Sequence, residues 1–553
     1  MTNPFEDIAK NAQCLFIIGS NTTEQHPVFG MQLRQAVKQR GVPLIVADPR
    51  RVPITQYATV HLRHKPGTDT ALLNGLMHVL IFEDLYDHDF VANRTEGFED
   101  LKVKMAEYTP ERVAWICGVD AEDIRKAARL MAAHRPGALM YAMGITQHTS
   151  GHGNVITCAN LQMLLGNMGV SGGGVNPLRG QSNVQGACDM GGLPNYYTGY
   201  QNVAVEASRR KFEAAWGALP PEDKPGLTLV EMMHAAERGQ IKAMYVVGEN
   251  PALSDPDSNH VRRCLQSLDF LVVQDLFLTE TAQLADVVLP GASFAEKDGC
   301  FTNSERRVQL VRRALNPLGE SRTDWEIITE LGQRTQTALW PALPESAATA
   351  VAEAPHSSWD YMNPAEIMDE IADLTPSYGG IRHHRLEKIG GLQWPCPDEK
   401  HAGTPILHVG KFSRGLGRFQ PMEFLPPVEL PDETYPLLLT TGRVLYHYHT
   451  GTLTRRSLGL AAIYPEGLVE MHPEDAARLD VANGEMVQVA SRRGEVNVKA
   501  DVTDKIQPGV VFMTFHFPDS AANFLTNPAL DPVAKIPEFK ACAVKVSKIP
   551  AGS

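Results

Sequence analysis

Cys14-Leu-Phe-Ile-Ile-Gly-Ser-Asn21 decides the fold class of this chain. Its five apolar residues are too few for a helix face and read as a parallel-sheet strand covered on both sides. Gly19-Ser-Asn21 is the turn that ends it, and a helix is expected from about Val28 to Gln39, closed by Gly41. Pro43-Leu-Ile-Val-Ala47 is then the second strand, ending at Asp48-Pro-Arg50. Strand, helix and strand at this spacing form a βαβ unit. The rhythm returns at Ala138-Leu-Met-Tyr-Ala142, which opens into Met143-Gly-Ile-Thr-Gln-His148, and a helix is expected from Asn154 to Met168 with Gly169 beyond it.

An internal echo extends the pattern. Leu15-Phe-Ile-Ile-Gly-Ser-Asn21 recurs in style as Met244-Tyr-Val-Val-Gly-Glu-Asn250. Each is followed by an apolar strand ending in aspartate, Leu44-Ile-Val-Ala-Asp48 and Leu271-Val-Val-Gln-Asp275. The spacing is 29 residues from Gly19 to Asp48 and 27 from Gly248 to Asp275. Ligands on such sheets sit beyond the carboxyl ends of the strands, where an acid accepts hydrogen bonds from a ribose or base edge. Two such units point to two nucleotide-like sites. The competing account is that α/β proteins repeat strand–glycine turns in any case, with Asp48 and Asp275 as turn or cap acids. No Gly-x-Gly-x-x-Gly follows either strand, so an ordinary NAD site is not expected. Arg50 and Arg51 are candidates to neutralise phosphate, or solvated charges.

Farther along, residues from Gln336 to His356 turn Ala/Pro-rich, a connector or surface excursion, and Pro421 to Pro436 reads as an inter-domain linker. Beyond it the texture becomes short strand-like runs: Leu437–Thr441, Leu468–Met471, Met486–Ser491, Val496–Ala500 and Val510–Thr514. Gly484, Gly494 and Gly509 mark turns, and one short helix, Pro473 to Leu479, interrupts them. This is a compact β-barrel-like domain.

Composition narrows the class. Hydrophobic residues are 43% and charged residues 21% of 553, ordinary for a soluble globular chain of several domains. A net charge of −13 argues against a nucleic-acid partner. No run of eighteen apolar residues suggests a membrane span, and Met1-Thr-Asn-Pro-Phe-Glu-Asp7 lacks the features of a signal peptide. The eight cysteines are dispersed without a Cys-x-x-Cys pair. That favours a reduced, cytoplasmic protein without a disulfide framework, and no iron–sulfur cluster held wholly within this chain.

The chemistry centres on Val175-Asn-Pro-Leu-Arg-Gly-Gln-Ser-Asn-Val-Gln-Gly-Ala-Cys-Asp-Met190. Arg179 is its lone cation among glycines, amides and small residues, which suits a small anion needing a paired N–H partner. His447 and His449 have the alternate spacing of ligands on one strand face but lack a third, so a structural or cofactor-contacting role is favoured over a metal site. Arg443, and Arg455 with Arg456, read as anion-facing turns or as surface arginines.

The run Arg179–Met190 resembles the active-site segment of molybdenum- or tungsten-dependent formate dehydrogenase catalytic subunits, in the bis-molybdopterin-guanine-dinucleotide oxidoreductases. Phe16–Asn21, Ala47–Arg50, Val247–Pro251, Ala285–Pro290, Thr441–Arg443 and His449–Arg456 fit the same pattern, and the similarity runs from end to end. The resemblance implies two related Rossmann-like parallel-sheet units and a C-terminal β-barrel domain, an α/β architecture. It divides the chain into dinucleotide-binding domains at 1–181 and 182–335, a connector with a remnant of the cluster domain at 336–420, and a barrel at 421–553. It assigns Gly19, Asn21, Glu24, Asp48, Arg50, Gly67, Asp69, Met143 and Gln147 to one guanine dinucleotide, Glu24 standing where a shorter acid is familiar. Gly248, Asn250, Gln274, Asp275 and Asp324 fall to the other. Gly180, Gln181, Arg443, His447, Asn523 and Lys540 should reach pterins or phosphates. Arg179, with Gln181, should orient formate for oxidation to CO2, two electrons leaving toward an iron–sulfur relay. Iron–sulfur or diaphorase subunits, or a hydrogenase, are the implied partners. Another enzyme of the superfamily, such as a nitrate reductase, and a non-catalytic cofactor-binding subunit are the alternatives.

In that family a Cys-rich segment for a [4Fe-4S] cluster, an electron-relay lysine and a selenocysteine or cysteine ligand precede the region where this sequence opens. No protein metal ligand is therefore expected in this chain. The expectation is a fragment, inactive alone, produced where a UGA selenocysteine codon was read as a stop; a misplaced start, a deliberate truncation or a true two-polypeptide enzyme are the other accounts.

Overall fold

The computed structural model describes residues 1–217 and 223–549. It falls into two compact units, the first comprising Met1–Gly180, Asn250–Arg263 and Ile406–Ser553, the second Gln181–Glu249 and Cys264–Pro405.

The first unit opens with β1 (Cys14–Ile18), α1 (Thr22–Gln25), α2 (Pro27–Arg40), β2 (Leu44–Ala47) and β3 (Val60–Leu62). There follow α3 (Asp69–Phe82), β4 (Gly137–Tyr141), α4 (Met143–Thr146), α5 (Gly151–Leu164) and β5 (Val175–Pro177). The strands form a parallel sheet in the order β3-β2-β1-β4-β5. Every residue of β1 is buried. Alternation sends Phe16 and Ile18 into the core beneath α3, and Leu15 and Ile17 into the core beneath α2. Gly41 ends α2 at φ 68°, as its sequence position predicts. Helix α5 begins and ends about a turn earlier than the apolar pattern implies, its exit passing through Leu165. The strand order reverses between β1 and β4, which creates a crevice at their carboxyl ends.

In the second unit, α6 (Val184–Asp189) precedes β6 (Ala243–Val247). The chain returns to the first unit for α7 (Pro251–Ser254) before β7 (Phe270–Asp275) and β8 (Val287–Pro290) complete a parallel sheet, β8-β7-β6. A second, antiparallel sheet joins β9 (Gly299–Thr302), β10 (Arg307–Val311) and, later in the chain, β11 (Leu392–Gln393). Between β10 and β11 lie α8 (Asp324–Leu339), capped reciprocally by Thr323 and Glu326, and α9 (Glu345–Glu353). The Ala/Pro-rich stretch read as a connector is thus largely helical. Alanine is the strongest helix former, and Pro344 occupies the cap of α9, where a missing N–H is harmless.

The rest of the first unit is a closed six-stranded barrel of β12 (Leu437–Gly442), β13 (Leu468–Met471), β14 (Met486–Ala490), β15 (Glu495–Val502), β16 (Val510–Thr514) and β17 (Cys542–Lys548). Their order is β12-β16-β13-β15-β14-β17, and α10 (Pro473–Arg478) is the expected short helix. Val469, Met471, Val487, Val489, Val511 and Met513 fill its interior. Closure leaves no strand edge unpaired. The proline-rich segment before it is pinned: Asn74 Nδ2 donates to Met422 O at 2.9 Å, Phe424 N to Tyr108 Oη at 2.9 Å, and Val428 N to Glu538 at 3.1 Å. Among the described residues no helix is long and apolar enough to cross a membrane.

Candidate functional site

At the crevice, the turns after β1 and β4 press against each other. Gly144 N donates to Gly19 O at 3.1 Å. A Cβ on Gly19 would lie 2.8 Å from Gly144 C, and one on Gly144 only 2.6 Å from Gly19 Cα, so both positions require glycine. Asn21 follows, and both polar atoms of its side chain are buried without a hydrogen bond. Glu24 lies on α1, its backbone N–H bonded to Asn21 O at 3.2 Å.

Asp48 ends β2, buried, with Oδ1 accepting from Arg50 N at 2.9 Å; burial raises its carboxyl above the ordinary range. The Arg50 side chain turns to the barrel, pairing with Glu470 at 2.7 Å and lying 3.5 Å over the Phe512 ring. Gly67, at φ 78°, is packed so that a Cβ would sit 2.4 Å from Pro427. Asp69 starts α3 in a fully internal network. His64 Nε2 bonds Asp69 Oδ1 at 2.9 Å, and His148 Nε2 lies 3.7 Å from Oδ2, which has no hydrogen bond. Burial alone would raise Asp69, but the adjacent His64 outweighs it and holds the carboxyl low; His64 is raised in return. Met143 and Gln147 bracket α4, Gln147 N donating to Met143 O at 3.0 Å.

Arg179 and Gly180 leave the end of β5. His26 Nε2 contacts Arg179 O at 2.6 Å, and burial lowers the His26 pKa. Arg443 lies over Gly180: a Cβ there would meet Nη1 and Nη2 at 3.0 Å. Lys540 Nζ donates to Thr441 O at 2.7 Å; burial, then Arg443, push its pKa down to about 7. His447 has both ring nitrogens bonded within the protein, to Thr454 Oγ1 at 3.1 Å and Tyr464 O at 2.7 Å. The more exceptional histidine is His449, for which the sequence favoured, with His447, a structural or cofactor-contacting role. Its backbone is left-handed at φ 50°, and burial beside Arg443 pushes its ring down to about 4. His516, buried beneath it, accepts from Val444 N through Nε2 at 3.1 Å, so Nδ1 carries the proton that it donates to His449 O.

In the second unit, Gly248 at φ 63° ends β6. Gln274 Nε2 donates to Asp324 Oδ1 at 2.7 Å, so these two expected residues meet, and Tyr245 and Lys297 bond to Gln274 and Asp324 respectively. Asp275 Oδ1 accepts from Leu276 N at 2.6 Å, and Glu249 is raised by burial and by Asp275. Gln181 O lies 3.5 Å from Val184 N at the start of α6. Asn250 and Asn523 belong to the first unit. Asn523 Nδ2 bonds Leu253 O at 3.0 Å and Ser254 O at 2.8 Å on α7, while its Oδ1 is buried without a partner.

The sequence echo is a structural one. Ile18 pairs with Ala47, and Val247 with Gln274. Gly19 N bonds Ala47 O at 3.0 Å, and Gly248 N bonds Gln274 O at 2.8 Å. After each turn a four-residue helix begins, with Asn21 O or Asn250 O accepting its first two N–H bonds. Repeated geometry with aspartate one residue beyond the paired strand residue fits two ligands of one kind. The unsatisfied amide of Asn21 and the open oxygens of Asn523 and Asp69 match the donors and acceptors of a guanine or pterin edge, and Arg443 with Lys540 match its phosphates. The residues present fit a pterin–guanine dinucleotide.

Comparison with known proteins agrees. Residues 1–334 match the molybdopterin oxidoreductase family and 437–543 the molydopterin dinucleotide binding domain. The chain is 49% identical, over 99% of its length and 78% of the relative's, to the F420-dependent formate dehydrogenase subunit alpha of Methanocaldococcus jannaschii. It is 48% identical, at the same coverage, to F420-dependent formate dehydrogenase 1 subunit alpha of Methanococcus maripaludis. Acetylene hydratase from Pelobacter acetylenicus shares the fold, with a TM-score of 0.75 at 21% identity over 99% of this chain and 79% of that one. The chain belongs to the molybdopterin oxidoreductase family.

Proposed function

We propose that this chain is the catalytic subunit of a formate dehydrogenase, oxidising formate to CO2 with release of one proton and two electrons. The observation that carries the reading is Arg179-Gly180 at the end of β5, Gly180 seated under Arg443, in a chain 48% identical to a formate dehydrogenase α subunit. A pair of pterin–guanine dinucleotides bearing molybdenum or tungsten supplies the two-electron acceptor when bound. Gly19, Asn21, Glu24, Asp48, Gly67, Asp69, Met143 and Gln147 would line one dinucleotide, with Arg50 bracing the loop beside Asp48. Gly248, Asn250, Gln274, Asp275 and Asp324 would line the other, on domains 1–181 and 182–335. Gly180, Gln181, Arg443, Asn523 and Lys540 would meet pterins and phosphates, with His447 stapling the loop that carries Arg443. Arg179 offers paired N–H groups to the carboxylate of formate, Gln181 orients formate with it, and His26 fixes the Arg179 backbone.

The metal's protein ligand and a [4Fe-4S] relay are assigned to the part of the relatives' length that this chain does not span. Iron–sulfur or flavin-bearing diaphorase subunits, or a hydrogenase, are the proposed electron partners, in the cytoplasm. The test is turnover by the complete cofactor-loaded enzyme. Formate-dependent reduction of a viologen dye supports the reading, whereas nitrate reduction without formate oxidation overturns it.

A further inference from the structure

The tail of the Arg179–Met190 run, Cys188-Asp189-Met190, takes no part in the site as described. Asp189 ends α6 and is fully buried. The buried Arg306 interacts with it electrostatically, and four neutral donors hydrogen-bond its carboxylate. Oδ1 accepts from Gln185 Nε2 at 2.8 Å and from Tyr200 Oη at 2.8 Å. Oδ2 accepts from Trp394 Nε1 at 2.8 Å and from the Tyr378 hydroxyl. Every acceptor position of the carboxylate is engaged. The donors come from three places in the second unit: α6 itself, the corner at Tyr200, and the segment from Tyr378 to Trp394 just before and after the His383–Ile389 helix. Tyr200 is held at φ 60°, a left-handed backbone that a bulky side chain adopts only when its surroundings impose it.

The other end of α6 is fastened separately. Asn183, left-handed at φ 63°, accepts from Thr302 N through Oδ1 at 2.9 Å. That oxygen also lies 2.1 Å from where a Cβ on Gly186 would stand, which explains the glycine in the run. Helix α6 has six residues and is therefore pinned at both ends to the body of the second unit, with Gln181 directly ahead of its first turn.

We propose that Asp189 is a positioning residue for Gln181: its four-donor bracket fixes α6, and α6 fixes the loop that presents Gln181 to the substrate. This rests on the formate dehydrogenase reading for its kinetic consequence but not for its mechanical one. The chemistry separates two variants. In Asp189→Asn the amide nitrogen can replace Oδ1, because Gln185 can turn its amide and Tyr200 can accept, while the amide oxygen still receives Trp394 and Tyr378. Asp189→Leu keeps the branching at Cγ, with bulkier methyl ends, and removes every bond.

Both variants are to be made in the complete cofactor-loaded enzyme, with rates normalised to bound cofactor and hydrogen exchange followed on the segment 181–190. For Asp189→Leu we expect kcat/KM for formate to fall on the order of 10²-fold, the usual cost of a displaced orienting group. Amide exchange should quicken at 181–187, while Asp189→Asn stays within about 3-fold of the parent because its hydrogen bonds survive. Equal exchange and equal kcat/KM in Asp189→Leu would overturn the proposal, as would a loss of folded protein with unchanged constants in what remains. Absence of formate turnover in the parent refutes the proposed reaction alone; local exchange then still decides the bracket.

Discussion

Arg179 carries the substrate argument at the scale of one residue. Lysine would keep its charge but replace two parallel N–H groups with a point donor, so Arg179→Lys should lower kcat/KM for formate on the order of 10²-fold. The melting free energy should move by no more than about 0.5 kcal/mol, because the side chain is only half-buried. Steady-state kinetics and urea denaturation check the two halves. The His64–Asp69 pair makes a separate prediction about pH. Asp69 is held low, so its contribution is present above the unfolded carboxylate pKa, about 3.9, and is lost as acid protonates it. His64 is raised, so its contribution is full below the unfolded imidazole pKa, about 6.5, and is lost as pH rises through its folded value. His64→Gln should therefore cost about 3 kcal/mol at a pH between those limits, as expected on breaking a buried pair. Urea titrations of cofactor-free protein at mildly acid and alkaline pH should show that cost shrinking on the alkaline side; an unchanged difference contradicts the pairing.

At the scale of the element, the two strand–turn–helix repeats differ in what surrounds their glycines. Gly19 and Gly248 are both left-handed, so alanine at either meets the same conformational penalty of about 1 kcal/mol. Nothing lies within 4 Å of a Cβ on Gly248, whereas one on Gly19 strikes the Gly144 backbone. Gly19→Ala should accordingly cost several-fold more stability than Gly248→Ala, measured as thermal midpoints of the two variants; equal costs would refute the back-to-back turn. The repeat itself was legible in sequence, since five apolar residues, a glycine turn and a following aspartate are local signals. So were α2 with Gly41 and most barrel strands. The Gly19–Gly144 contact was not, because it joins turns 125 positions apart in the chain. Strand β17 escaped because Cys542-Ala-Val-Lys-Val-Ser-Lys548 mixes small and charged residues and gains its partners only on barrel closure. Helices α8 and α9 were masked by flanking prolines. Tyr245 and Lys297 carry no motif; only the fold brings them to Gln274 and Asp324.

For the molecule as a whole, sequence order is a poor guide to which segments share a core. The first unit gathers three separate stretches of chain, and its barrel is tied to the opening α/β sheet by bonds between residues hundreds of positions apart. Arg50 and Glu470 form one of these ties, with side chains 14% and 11% exposed. Local signals leave Arg50 open as a neutraliser of phosphate or a solvated charge beside Asp48; its guanidinium spans to β13 and stacks on Phe512 of β16. Two charges withdrawn from water at this joint stabilise it only while both are present. Arg50→Met should leave Glu470 buried and unpaired, and Glu470→Leu should do the same to Arg50, each costing about 3 kcal/mol. The double variant Arg50→Met/Glu470→Leu restores an apolar joint against Phe512 and should be more stable than either single change. Urea denaturation of the four proteins completes the cycle. A double variant whose loss equals the sum of the two singles would show that the pair does not couple the sheet to the barrel, leaving the joint to its other ties, such as Gln507 Nε2 to Pro49 O and His64 O.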